Sequence, residues 1–285
     1  MNIMKYRPLF FIFSLSLILI SVFSIIKWGF VPSVDFAGGT VWEIKLKDTV
    51  NKSQIEKIYL DQEISLTSIS TNGNSYLIKS ETISPEIKAN IENSINKIDP
   101  NYQEQKFESL GPSLGKELII KTVFAIILSS ISLLFFIARR FREPTFGISA
   151  ILAMFHDTII LIGSFSLFGH FFGAELDALF VTALLTTLSA SVHDTVVTFD
   201  RIRELKRRNY RQNWVELSNQ AVMETIVRSV NNSMTIIFML LALVILGGSA
   251  TRWFSTALLV GVIAGTYSST AVAIPLVLFF KRKEK

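Results

Sequence analysis

The 285-residue chain contains no cysteine. That excludes thiol catalysis, disulfides and thiolate metal sites, and it fits either redox compartment. Charge is also scarce. Only 18% of the residues are Asp, Glu, Lys or Arg, against about 25% in an ordinary soluble protein. No HExxH motif, GxGD run or nucleophile–base pair occurs, so neither an intramembrane enzyme nor a cofactor is expected.

What the chain has instead is apolar sequence. It is 50% hydrophobic, with a mean hydropathy of +0.44. The apolar residues are clumped in six stretches: 9–28, 118–138, 148–172, 178–199, 234–247 and 253–280. A bilayer crossing needs about 20 residues. Five stretches qualify directly, and the fifth in order does so when 230–233 is included. The first follows Lys5 and Arg7, as a signal peptide would. It is too long and too uniformly apolar for one, and the following KWGFVPSVDF offers no small-x-small cleavage site. It is read as a retained helix.

Basic residues alternate in side. Lys5 and Arg7, RRFRE at 139–143, RIRELKRRNYR at 201–211, Arg228 and the tail KRKEK carry sixteen Lys and Arg between them. The positive-inside rule puts this group, and both termini, in the cytoplasm. The opposite side holds the long loop 29–115, with 8 Lys, no Arg and 12 Asp plus Glu. The net charge of +5 therefore lies beside membrane lipid rather than on a nucleic-acid surface. The patch at 201–211 reads as a charged cytoplasmic helix extension, with a docking surface as the alternative.

The expected organisation is a first helix at 1–30, an extracytoplasmic domain at 31–115, and helices two to six with the tail at 116–285. In the loop, TVWEIKL at 40–46 alternates as a strand and 51–60 reads as a short helix. Strands at 65–70 and 75–80 flank TNGN, a hairpin signal. Ser84 and Pro85 open a second helix with Ile87, Ile91, Ile95 and Ile98 on one stripe, and Asp99-Pro100 stops it. A last strand covers 102–110. The order β-α-β-β-α-β is the ferredoxin-like arrangement. The fold class expected is thus a six-helix all-α membrane bundle with an extracytoplasmic ferredoxin-like α+β domain in its first loop.

Two apolar stretches each carry a carboxylate: Asp157 in ISAILAMFHDTIILIGSF and Asp194 in ALFVTALLTTLSASVHDTVVTF. Ionisable groups inside a membrane are costly and mark ion paths, proton relays or structural pairs. Asp194 lies seven residues before Arg201, roughly 10 Å along a helix, and Asp157 lies fifteen after Arg142, roughly 22 Å. Both are then near the midplane, at a separation that suits a water chain rather than a direct bond. Each belongs to a string HDT followed by two β-branched residues. His156 and His193 add metal-ligand types, but neighbours on a helix point about 100° apart, so no metal site is expected. Thr186, Thr187, Ser189, Ser191 and Thr195 either line a hydrated path or bond back to the preceding turn. Arg228, Asn231 and Asn232 are expected to open helix five, with Arg228 a possible counter-charge or a snorkelling residue. Gly261 and Gly265 form GxxxG, flanked by Ala264, Ser268 and Ser269, a face for close helix packing and for sliding against a partner. Gly38 and Gly39 mark a turn that is either a hinge or rigid, with Asp35 as its cap.

Four stretches resemble the SecD/SecF family of bacterial protein-export membrane proteins. They are VDFAGGTVWEI at 34–44, SLGPSLGKEL at 109–118, SVHDTVVTFDRIRE at 191–204 and LLVGVIAGTYSS at 258–269. They fall in the family's order and, with the six-span layout, cover nearly the whole chain. The resemblance implies one half of a resistance-nodulation-division-like assembly in the inner membrane. It implies a SecD partner, association with the SecYEG channel and with YajC and YidC, and contact with a translocating polypeptide. It implies use of the proton-motive force without ATP hydrolysis. It places the family's fourth-helix aspartate on Asp194 and its third-helix aspartate on Asp157. One departure is His193, where the family commonly has Asn; a histidine there can titrate near neutral pH or simply hydrogen-bond in the bundle. The alternatives are a dimeric proton-coupled transporter of a small solute and a non-conducting assembly subunit of the translocase.

Overall fold

The computed structural model describes residues 3–47, 50–141, 143–209 and 211–283. Arg142, the depth marker for Asp157, lies outside the described residues, as do Tyr210 of the basic patch and the last two residues of the tail. The chain divides into two compact units, Met1–Val31 with Phe124–Lys285, and Pro32–Val123.

In the second unit a single turn, α2 (Val34–Ala37), leads into β1 (Gly39–Lys45), α3 (Lys52–Asp61), β2 (Leu66–Asn72), β3 (Ser75–Ser80), α4 (Pro85–Ile98) and β4 (Gln103–Leu110). The sheet is antiparallel throughout, in the order β2-β3-β1-β4. Gly73 takes φ +58° in the β2–β3 hairpin. Alternation along β1 and β3 sends Trp42, Ile44, Tyr76 and Ile78 into one core with Ile55, Ile58 and Tyr59 of α3 and Ile91 and Ile95 of α4. Branched residues suit both surfaces, being stiff on strands and at i, i+4 on the helix. Ser84 caps α4 by accepting the Ile87 N–H, with Pro85 in the first turn. The isoleucine stripe is shorter than expected, because Ile98 is 38% exposed. Near the C-terminus of α4 the stripe has drifted off the core face.

The cap of α2 is Ser33, whose Oγ accepts the Asp35 N–H. Asp35 itself lies in the first turn of α2. Gly38 has φ +78° and Gly39 φ +130°. A Cβ on Gly38 would meet Pro112 Cα at 2.8 Å, and one on Gly39 would meet the Ser80 carbonyl at 2.7 Å. Both glycines are closed in by backbone.

Among the described residues, six helices are long and apolar enough to cross a membrane. They are built on α1 (Arg7–Trp28), α5 (Pro112–Arg140), α6 (Pro144–Phe172), α7 (Ala178–Arg208), α8 (Trp214–Leu246), and the pair α9 (Ser249–Ser268) and α10 (Ile274–Lys283), joined by a π segment at Ser269–Ala273. Pro144 starts α6 and left-handed Gly173 ends it. Asp177 caps α7 by accepting the Phe180 N–H at 2.6 Å. The fifth span begins at Trp214, a correction to the reading that starts it near 228–232. Trp214 and Asn213 supply a start signal well upstream, and the polar stretch between lies inside the helix.

Burial sorts the spans. In their most apolar windows α6 is 61% buried and the α9–α10 span 56%, whereas α5 is 0% and α8 11% buried. The inner helices are therefore α6, α7 and α9, and both apolar-segment carboxylates sit on them.

Candidate functional site

The close seam between α7 and α9 organises the site. Gly261 faces Thr187 and Gly265 faces Ser191, one turn further on in both helices. A Cβ on Gly261 would lie 2.0 Å from Thr187 Cγ2, and one on Gly265 3.3 Å from Ser191 Cα. Only glycine permits this approach at Gly261, where a methyl would overlap the threonine. The GxxxG face is thus spent on the chain's own helix, which corrects the expectation that it slides against a partner.

The seam carries two serines to Asp157. Ser191 Oγ of α7 donates to Asp157 Oδ2 at 2.5 Å, and Ser268 Oγ of α9 donates to the same oxygen at 2.6 Å. The other oxygen lies 2.9 Å from His156 Nδ1. The adjacent imidazole does reach its neighbour's carboxylate. Asp157 is 6% exposed and has contacts from three helices. Ser268 immediately precedes the π segment, and such widened turns often mark functional sites.

Asp194 stands differently. It is half-buried and accepts one hydrogen bond, from Ser229 Oγ of α8 at 3.0 Å. It lines a cavity of about 560 Å³ with His193, Ser189, Ser191, Asn232 and Thr266. His193 is exposed. Since Ser191 also holds Asp157, one hydroxyl separates the sealed carboxylate from this cavity. Of the other α7 hydroxyls, Thr186, Thr187 and Thr195 bond back to carbonyls of the preceding turn, and Thr186 also lines the cavity.

Asp157, Asp194, His193, Gly261 and Gly265 are brought together around this seam. Asp35, Gly38 and Gly39 belong to the other unit. Arg228 is exposed in the interior of α8, and no ion pair is formed by it among the described residues. Its neighbour Ser229 is the residue that meets Asp194. Ser229 does not stand out in sequence, and Ser268 stands out only as a flank of the GxxxG pair, with nothing there to point it at Asp157. The available signal is a hydroxyl in the middle of an apolar helix, which has a structural reading as often as a functional one. No group of three or more His, Asp or Glu that could hold a metal occurs among the described residues.

Residues 90–283 match the family described as protein export membrane protein SecD/SecF, C-terminal. The chain is 37% identical to the protein translocase subunit SecF of Thermobaculum terrenum over 99% of this chain and 95% of that protein. It is 35% identical to SecF of Sebaldella termitidis over 100% of this chain and 93% of that one. A crystal structure of SecDF, a translocon-associated membrane protein from Thermus thermophilus, superposes with a TM-score of 0.85 at 30% identity, covering 99% of this chain. This chain spans only 39% of that SecDF chain. The SecDF super-membrane-facing form superposes with a TM-score of 0.72. With six helices of spanning length the protein is a multi-pass membrane protein, and the chain belongs to the SecD/SecF family of protein-export membrane proteins.

Proposed function

We propose that this chain is the SecF-type accessory subunit of the bacterial Sec export machinery. It pairs with a SecD subunit in the inner membrane and uses the proton-motive force to promote movement of exported polypeptides through SecYEG. YajC and YidC are further partners in this reading. Both termini face the cytoplasm, by the positive-inside rule. The domain at 31–115 is extracytoplasmic and ferredoxin-like, a reading supported by its β-α-β-β-α-β order and by a sheet in which β1 and β3 are the inner pair. Gly38 and Gly39 serve as a rigid turn at its root rather than a hinge.

The observation that carries the coupling is Asp194 at the edge of a hydroxyl-lined cavity on an inner helix. A carboxylate so placed exchanges a proton with cavity water. Its charge state changes the bond to Ser229 and so the attachment of α7 to α8. That gives protonation a lever on bundle arrangement. His193, on the same cavity wall, assists the exchange, and Asp157 is the second carboxylate of the relay. Arg228 snorkels to headgroups rather than acting as a counter-charge.

The test is export of a pulse-labelled secretory precursor in cells depleted of this protein and supplied with wild type or Asp194→Asn at equal membrane level. Precursor should accumulate with the variant alone. Equal export by both would reject proton coupling at Asp194 and favour a scaffolding subunit.

A further inference from the structure

The hydroxyls of α7 and α9 account for one side of the His156–Asp157 pair; the other side faces along α6. Ser149 is 0% and His156 4% exposed. Among the described residues, neither Ser149 Oγ nor His156 Nε2 has a hydrogen-bond partner. This is unusual for both groups. A helical hydroxyl ordinarily bonds to the carbonyl one turn back, as Thr158 on the same helix does to Met154, and buried polar atoms ordinarily have a partner or a bound water.

The two atoms are not scattered. Residues seven apart on an α-helix differ by only about 20° in azimuth, so Ser149 and His156 share a face. Thr145, also buried, lies one turn further back on that face, and Pro144 begins the helix. Between Ser149 and His156 the face carries Ala153, which is fully buried and contributes only a methyl. The residues are roughly 10 Å apart along the axis.

We propose that this face of α6 is a second leg of the proton path. It runs from Asp157 through the His156 imidazole and bound water to Ser149 and Thr145 at the Pro144 end of the helix. The inference rests on the proton-coupling reading above and adds the route by which a proton leaves Asp157. His156 stands at the junction, with Nδ1 on the carboxyl and Nε2 on the water file. The neutral ring takes the Asp157 proton at Nδ1 as its Nε2 proton passes to water. This leaves a carboxylate and the opposite tautomer, with no change in electron count. Tyr267 lies beside the ring at 6.2 Å between centroids. Its hydroxyl is committed to Ser14 and the Phe10 carbonyl of α1, so it flanks the file rather than joining it.

The test uses the full chain in cells, at equal membrane level, with Asp194→Asn run alongside. Ser149→Thr and Ser149→Val add nearly the same volume and differ in a hydroxyl. Export should persist in Ser149→Thr and fall at least tenfold in Ser149→Val. Wild-type export in Ser149→Val, with Asp194→Asn defective, overturns the second leg and leaves the coupling reading standing. Should both variants fail to accumulate, His156→Asn decides. It adds no bulk and can still hydrogen-bond Asp157, but offers no second ring nitrogen to the water file; a tenfold loss supports the leg and a wild-type rate overturns it. Normal export by Asp194→Asn overturns the coupling reading itself, and the second leg with it.

Discussion

The string His-Asp-Thr occurs at 156–158 on α6 and again at 193–195 on α7. In the first copy the imidazole is buried against its own neighbour, and the carboxylate takes hydroxyl bonds from two other helices. In the second the imidazole is exposed, and the carboxylate accepts a single serine bond at the wall of a cavity. Identical chemistry thus yields a sealed group and an accessible one. The difference comes from the neighbours: α6 faces the glycine-tightened α7–α9 seam, whereas Asp194 faces the sparsely buried α8.

The largest effect expected on this contrast comes from the seam itself. Gly261→Leu forces a side chain into Thr187 and should separate α9 from α7, withdrawing Ser268 from Asp157. Overpacking of this kind costs about 1–3 kcal/mol or more. Labelling by a hydrophobic carbodiimide should reach Asp194 but not Asp157 in the wild type, and both in the variant. Protection of Asp157 in a folded Gly261→Leu protein would break the link between seam and seal.

Truncating the two carboxylates measures the same contrast directly. Asp157→Ala strands two buried hydroxyls and an imidazole and should lower unfolding stability by about 2–4 kcal/mol. Asp194→Ala strands one serine beside a cavity and should cost about 1 kcal/mol or less. Denaturant unfolding in detergent reads both, and equal losses would erase the distinction.

A smaller effect sharpens the comparison with a carboxylate buried in the other unit. Asp99 is 1% exposed. Burial alone would raise its pKa. The Asn101 and Lys47 backbone N–H groups and the Lys47 ammonium outweigh that and hold its carboxyl below the usual range. A depressed folded-state pKa contributes stability that is fully present above the ordinary aspartate value of 3.8 and is lost as pH falls through the folded value. Asp99→Asn should therefore flatten the acid limb of unfolding of the sheet-containing unit. An unchanged limb would show that other carboxylates govern it.

Much of the fold was legible in the sequence. Uniform apolar runs can only be spanning helices, because no other open structure satisfies its backbone in lipid. The sheet-containing unit was legible nearly to the residue, because alternation on the strands, Ser84-Pro85 and the Asn-Gly turn are local signals. Helix ends were less so. Polar and charged residues are mixed with the apolar ones between Trp214 and the apolar run of the fifth span, so the start at Trp214 is not legible from hydropathy alone, and Arg228 is interior rather than at an end. At the site, Asp157, Asp194 and the Gly261–Gly265 pair could be named in advance, since a charge or a paired glycine in apolar sequence is conspicuous. Ser229 and Ser149 could not, since a lone serine is ordinary there, and Ser268 was visible only as a flank of the glycine pair.

By itself, then, the sequence determined the number of spans, the order of the sheet-containing unit and which ionisable groups lie in the apolar helices, because each follows from hydrophobic period and local turn chemistry. Only the tertiary structure decided which carboxylate is sealed and which is open, that the glycine face closes on the chain's own helix, and which hydroxyls lack a partner. Those properties depend on the rotation of each helix about its axis, which is set by the helices it touches.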